Sequence, residues 1–417
     1  MFHTLFRHLA IWCAVALLAA PLRLAASAGE STYDLEPGSA LSLRALLDVR
    51  LVGQGPQPSM LEGGPGKTRY GGITENGEAE SITRFAVSQF ALQPAVMLPW
   101  GIRAMAQLNW DVDIDTNGDF GAYTNAPRLV EGLFRKEWAG AADGWALQGG
   151  VMTPAFSLEN TGPAWTPLAT LTPSAANTWL WEEVKPVGVE GEWWGAMPGD
   201  VQLDTAAGLG WGADQVGSLL AHRGWVLSDY LPGVNNSQQI PGTNKYAHVF
   251  DEQDGYPALW GGLSAADPWQ IAELRLGYFD NLGNLGADGV WETRFGEAGM
   301  QCEPLRGLEV LMQGMVGNAT TRGKALESRF STWYPLVSYR YGGSRISARY
   351  DNFSVTDVDG PPSTAESGYA VTLAYLFEFW LRHRVGFEYI YVDSERPGGH
   401  PAHMSQGGWQ LSYRFRY

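Results

Sequence analysis

The sequence predicts an all-β chain: a transmembrane, antiparallel, up-and-down β-barrel of about sixteen strands with both termini in the periplasm. Three observations predict it. Segments in which apolar and polar residues alternate recur from about residue 41 to the last residue. The gaps between them are alternately long and short, as loops and turns alternate around a barrel. The composition is poor in charge and rich in aromatics and glycine. Charged residues are 17% of the chain, against about a quarter in soluble globular proteins, while Trp, Tyr and Gly number 18, 17 and 52.

Residues 1–28 read as a cleavable secretory peptide. Arg7 and His8 form the charged end, and the apolar run from Leu9 to Ala20 is too short to span a bilayer. Ala26-Ser27-Ala28 supplies a small-residue cleavage site, so the mature chain is expected to start at Gly29. Cys13 lies inside the apolar run behind Trp12, which does not suit a lipoprotein signal. Removing the peptide takes the net charge from -16 to -18, because it holds two arginines and no acid. A chain this acidic is not expected to bind nucleic acid. Cys302 is then alone, which precludes an internal disulfide, and it reads as a small buried hydrophobe. No apolar run of 18 residues follows Ala28, so membrane-spanning helices are not expected.

The first alternating segment holds Leu41, Leu43, Ala45, Leu47, Val49 and Leu51 at every second position. A Gly- and Pro-rich loop to about Glu80 precedes the second, Ile82 to Met97. The turn Leu98-Pro-Trp-Gly101 leads into the third, where Ile102, Ala104, Ala106, Leu108, Trp110 and Val112 alternate with polar residues. Further segments come in pairs across short turns: 128–138 with 145–153, 187–194 with 201–210, and 257–264 with 270–279. They continue as 290–301 with 308–316, 333–339 with 345–350, and 369–377 with 384–392, and end on 407–417. Sixteen is an even number, as a bacterial barrel with both termini on one side requires. Trp100, Trp138, Trp145, Trp260, Trp269, Trp333 and Trp380 fall near strand ends, where interfacial aromatic girdles sit.

The last segment alternates Trp409, Leu411, Tyr413, Phe415 and Tyr417 with polar residues. It resembles the C-terminal assembly signal of bacterial outer-membrane proteins, which implies barrel assembly machinery as a partner and the bacterial outer membrane as the location. The third outer loop spans roughly Pro154 to Pro186 and carries Glu159, Trp165, Trp179, Trp181, Glu182 and Glu183. A loop this long is usually functional. In layout the chain resembles sixteen-stranded bacterial porins, whose third loop folds inward and narrows the pore. Arg349-Tyr-Asp351-Asn-Phe353, with Asp357 beyond it, is similar to strand-to-loop segments of the phosphate-selective porin superfamily. That family's lysine-rich pore is not matched, because Lys is scarce here. The resemblance implies passage of small hydrophilic solutes, contact with outer-membrane lipid, and a homo-trimer.

Alternation also assigns a lumen. Arg44, Asp48 and Arg50 point inward from the first strand, and Arg103 and Asp111 from the third. Arg349 and Asp351 follow from the thirteenth, Arg384 and Glu388 from the fifteenth, and Arg414 and Arg416 from the last. Closure sets the first and last strands side by side, so arginines gather on one wall. Glu159, Glu182 and Glu183 on an inward loop would oppose them and set up a transverse field. The alternative is that these charges pair locally and stiffen the wall.

Asp113, Asp115 and Asn117 begin like a calcium loop, but position twelve is Thr124 where the closing Glu belongs. An acidic outer loop is the reading adopted, with no metal and no cofactor. No G-x-S-x-G, H-E-x-x-H or C-x-x-C occurs, and the five histidines after residue 28 lack partners by spacing. The expectation is therefore a non-enzymatic porin for passive diffusion. A substrate-selective channel for sugars or small organic anions, with Trp165, Trp179, Trp181 and Trp225 as a stacking track, is the first alternative. A barrel-scaffold enzyme and a plugged structural barrel follow. A plugged receptor of 22 strands does not fit about 390 residues.

Overall fold

The computed structural model describes residues 40–417 apart from 63, 76–77, 112–126, 141–142, 235, 240–245, 249, 270, 322–325, 359–364, 381 and 399–401. The expected signal peptide and the calcium candidates Asp113, Asp115 and Asn117 lie outside the described residues. Sixteen antiparallel strands form one closed barrel. They are β1 Leu41–Gln54, β2 Ile82–Leu98, β3 Ile102–Trp110, β4 Arg128–Ala139, β5 Asp143–Val151, β6 Val187–Ala196, β7 Gln202–Trp211 and β8 Ala258–Ala266. The second half comprises β9 Ala272–Asp280, β10 Trp291–Leu305, β11 Leu308–Thr321, β12 Glu327–Tyr341, β13 Ser344–Asp357, β14 Glu366–Phe379, β15 His383–Glu395 and β16 His403–Arg416. The count and the order match the sequence expectation.

The seam pairs β1 with β16 from Leu46↔Arg416 to Gln54↔Gly408, and Ala45 exchanges backbone hydrogen bonds with Tyr417. The outer face of the seam is Leu47, Val49, Leu51, Leu411, Tyr413 and Phe415, because successive side chains point to opposite faces of a strand. Such a face is stable only against lipid or another apolar surface. Among the described residues no helix is long and apolar enough to cross a membrane.

Several strands run further toward the loops than the alternation suggested; β12 begins at Glu327 rather than near Trp333. There the outward positions are the charged Glu327 and Arg329 while Phe330 points inward, so the apolar-out, polar-in contrast disappears. Short turns close the other end of each hairpin. Gly307 turns from β10 into β11 at φ 79°, and a side chain there would overlap the Arg340 carbonyl.

Two bulges re-aim the inner face. One residue is inserted in β2 opposite Asp48 and Val49, and another in β4 opposite Gln107 and Leu108. Ser88 and Gln89, and likewise Val130 and Glu131, are consecutive buried residues for this reason. Both pairs meet segments that enter the barrel from its loop end.

Candidate functional site

Loop 3 runs from Met152 to Pro186 between β5 and β6, and it is almost wholly buried inside the barrel. It contains helix α1, Ala175–Glu183, capped by Ser174, whose hydroxyl accepts from the Asn177 N–H at 3.2 Å. All nine helix residues are buried, so this helix has no wet face. Strands β13 and β15 hold the loop. Arg349 on β13 donates to Glu159 at 2.5 Å, to the Thr172 carbonyl at 2.8 Å, to the Pro173 carbonyl at 2.9 Å and to Asp351 at 2.8 Å. Asp351 in turn accepts from the Ala175 N–H at 3.0 Å, placing a carboxylate at the positive end of α1. Glu388 accepts from the N–H groups of Leu171 and Thr172, at 2.6 and 3.2 Å.

Loop 4, between β7 and β8, also turns inward over residues 213–233 and carries the short helix α2, Ser218–Arg223. Glu183 joins the two loops. Its carboxylate accepts from the N–H groups of Leu219 and Leu220, at 2.8 and 3.3 Å, and from the Trp179 indole. Burial pushes Glu183 up to about 7 against the Leu219 N–H, and Glu182 beside it adds to the rise. Glu182 pairs with Arg223 at 2.5 Å. Thr178 and the backbone of Ser228 exchange hydrogen bonds at 3.0 and 3.1 Å. Lys185 donates to the Pro232 carbonyl at 2.9 Å, and burial pushes it down to about 7. Gly224 ends α2 at φ 78°, and a Cβ there would overlap the Glu366 carboxylate, which accepts from the Trp225 N–H.

The arginine wall exists, and loops cover most of it. Arg50 donates to Asp48 at 2.9 Å, to Gln410 at 2.8 Å and to Asp229 of loop 4 at 2.5 Å. Arg414 donates to the same Asp48 at 2.5 Å. Burial alone would raise Asp229, but the Arg50 and Arg69 guanidiniums outweigh it and hold the carboxyl below its usual range. Asp48, Arg50, Arg349, Asp351, Arg384 and Arg414 are all buried. Arg44 and Arg103 are half-buried on the inner face. Arg416 sits at the rim, paired with Glu378 at 3.0 Å. Asp111 is buried against Arg128 and lies 3.4 Å from Arg69. Of the loop acids expected to oppose the wall, Glu159 meets Arg349 directly, whereas Glu182 and Glu183 bind loop 4.

The charges facing the open part of the lumen were missed. They lie mainly on the opposite wall, on β4 to β11, with Arg345 reaching in from β13. Arg135 is shared by Glu137 and Glu192, at 2.7 and 2.5 Å. Glu273 takes Arg275 at 2.7 Å, and Glu309 takes Arg345 at 2.9 Å. Asp204 is exposed and has only the Ser264 hydroxyl, at 3.5 Å. Acids outnumber arginines in this set, so the uncovered side of the lumen is acidic. The signal that would have found it is the same alternation, applied to segments where glycine and alanine hide the period.

The tryptophans divide differently from the expectation. Trp100, Trp138, Trp145, Trp269 and Trp380 are exposed on the outer side. Trp260 points inward, against its expected place in a girdle, and its indole donates to Glu190 at 2.5 Å. Its register partner across the sheet is Phe279, which is also inside. Trp179 and Trp225 are packed with Phe295 and Phe330 in an apolar core within the barrel, Trp179 lying 5.1 Å from each phenylalanine ring. Trp165 and Trp181 pack against each other with tilted rings, their centroids 4.3 Å apart. Trp179, Trp181 and Trp225 are thus core residues with little surface left for a ligand.

No family model and no curated protein matches this sequence. Its fold does match solved structures. The chain is similar to the anion-selective porin from Comamonas acidovorans at TM-score 0.53 and 10% identity, covering 90% of this chain and 99% of that one. It is similar to the outer membrane channel DcaP of Acinetobacter baumannii at TM-score 0.54 and 10% identity, covering 90% and 97%. Pseudomonas putida OprB gives TM-score 0.53 and 10% identity, covering 91% and 94%. The fold is that of the sixteen-stranded outer-membrane porins.

Proposed function

We propose that the protein is an outer-membrane porin that passes small hydrophilic solutes by passive diffusion, with transport rather than catalysis as its activity. One observation carries the reading: a closed barrel, apolar outside and polar inside, whose third loop lies within the lumen and is tied to the wall through Arg349. A solute would pass between the loops and the uncovered wall. Asp204, Glu273 and Glu309 line one side of that space. Arg44 and Arg103 stand on the side of the arginine wall. This arrangement supports sorting by charge and dipole, because fields are strong where walls of low dielectric constant confine little water. The short turns would face the periplasm and the loops the exterior.

The apolar core that loops 3 and 4 build around Trp179 favours a second reading, a barrel that is closed at rest. Single-channel recording of the refolded protein in planar bilayers separates the two. A steady ohmic conductance supports the open porin. Its absence, with rare openings, supports the closed barrel. A homo-trimer is the proposed assembly, packed through β4–β8, where Gly132, Gly149, Gly191, Ala207 and Gly261 leave the outer face smooth. Native mass spectrometry in detergent checks it, and a monomer throughout would remove it.

A further inference from the structure

Arg384 lies on the inner face of β15, directly across the ladder from Arg414 on β16. Residues so paired hold their Cβ atoms about 5 Å apart. Arg384 is 4% exposed, and its Nε and Nη2 have no hydrogen-bond partner. Arg414 is 1% exposed and its Nη1 is likewise without one.

The charged groups around Arg384 are Arg414, Arg416, Asp48 and Glu378. Both carboxylates are engaged. Asp48 binds Arg50 and Arg414, and Glu378 binds Arg416. One buried guanidinium is therefore left over. An uncompensated charge in such a place is costly unless an opposite charge and hydrogen-bond acceptors reach it.

Loop 3 roofs the spot. Leu171 lies over Gly386, two residues along the same inner face, and Ala164 packs on Leu46. The rim residues Arg416 and Glu378 remain partly exposed on the turn side, so the opening is toward that mouth. The geometry points to an oxyanion site between Arg384 and Arg414, under loop 3, taking a carboxylate or phosphate group from the lumen. Two guanidiniums with free N–H groups suit a planar or tetrahedral oxyanion, which accepts several charge-assisted bonds at once. The site does not depend on the barrel conducting, and it goes beyond the diffusion reading.

The test uses the full chain refolded in a nonionic detergent, at constant ionic strength, with sodium phosphate or sodium acetate replacing sodium chloride. Urea midpoints and phosphorus-31 line widths are read. Both oxyanions should raise the midpoint, and the protein should broaden the phosphate line. R384Q should weaken apparent phosphate binding by about tenfold or more, while its own midpoint in chloride is unchanged or higher. R416Q, at the rim, should respond as the native chain does. R384K, which keeps one charge but loses the fork, should bind phosphate at intermediate strength, and it decides the matter if R384Q fails to fold. Equal phosphate response in the native chain and the Arg384 variant, no response in either, or a lower R384Q midpoint in chloride would each overturn the site.

Discussion

Strands β10–β16, with β1 and β2, run 13 to 17 residues, whereas β3 and β5–β9 run 9 or 10. At about 3.3 Å per residue, the first group is roughly half as long again as the second, or slightly more. Loops 3 and 4 rise from the short strands, and both turn inward and lie against the inner face of the tall ones. Charges on the tall side are consequently roofed and paired, as Arg349 and Arg50 are. Charges on the short side keep open water, as Asp204 does. The two walls obey the same alternation rule, and what separates structural from exposed charge is which loop lies above it. A low rim admits the loop; a high wall receives it.

The sharpest way to break the contrast is to remove the cover. Deleting residues 160–181 of loop 3 should raise conductance severalfold in planar bilayers while the barrel still folds. Unchanged conductance would mean that the loop does not limit the path. The next effect should be on stability. Arg349→Ala leaves Glu159 and Asp351 buried without their partner and should cost about 3–5 kcal/mol in urea unfolding. Glu273→Gln on the short wall, where its ion pair is partly wet, should cost less than about 1 kcal/mol. Equal losses would erase the distinction between the walls.

The joint between loops 3 and 4 makes the covered side sensitive to pH. Glu183, raised to about 7 from an ordinary value near 4.5, contributes stability that is full below about 4.5 and is lost as pH rises through 7. Lys185, lowered to about 7 from 10.5, is strained when charged, so stability returns as pH rises from 7 toward 10.5. The loops should be least firmly docked near neutrality. Thermal midpoints across pH 4 to 10 should show a shallow minimum there; Glu183→Gln should flatten its acid side and Lys185→Met its alkaline side. A monotonic profile in the native chain would dissociate these two groups from loop docking. The smallest effect concerns selectivity. Asp204→Asn with Glu309→Gln should move the reversal potential in a salt gradient toward anions, and Arg44→Gln should move it a little toward cations. Opposite signs would place the conducting path elsewhere.

Much of the barrel was legible because lipid demands it. Leu47, Val49 and Leu51 face out for the same reason that Asp48 and Arg50 face in, and a period of two records both. The sequence also marked Glu159 and Arg349, through loop length and alternation. It was silent about height and cover. Arg50 meets Asp229 across 179 residues, and no local pattern encodes that pairing. Loop 4 has no periodicity to announce its inward turn. Trp260 was placed in a girdle because tryptophan near a strand end suggests an interface, yet its register with Phe279 sets it inside. The acidic wall escaped notice because Gly191, Ala206 and Gly262 blur the alternation of the strands that carry it.

The seam between β1 and β16 has a consequence for how the chain reaches its final state. Asp48 and Arg414 are 366 positions apart, and Asp48 also holds Arg50, which reaches loop 4. Loop-closure entropy delays contacts of such long range, so the seam should zip late, after the neighbouring hairpins exist. Loops 3 and 4 must be in place before that moment, since a sealed cylinder offers them little room to thread. Closure and internal packing are thus one cooperative step. A chain that sealed first, with its loops left outside, would be a kinetically trapped shell whose wall arginines face water in place of loop acids.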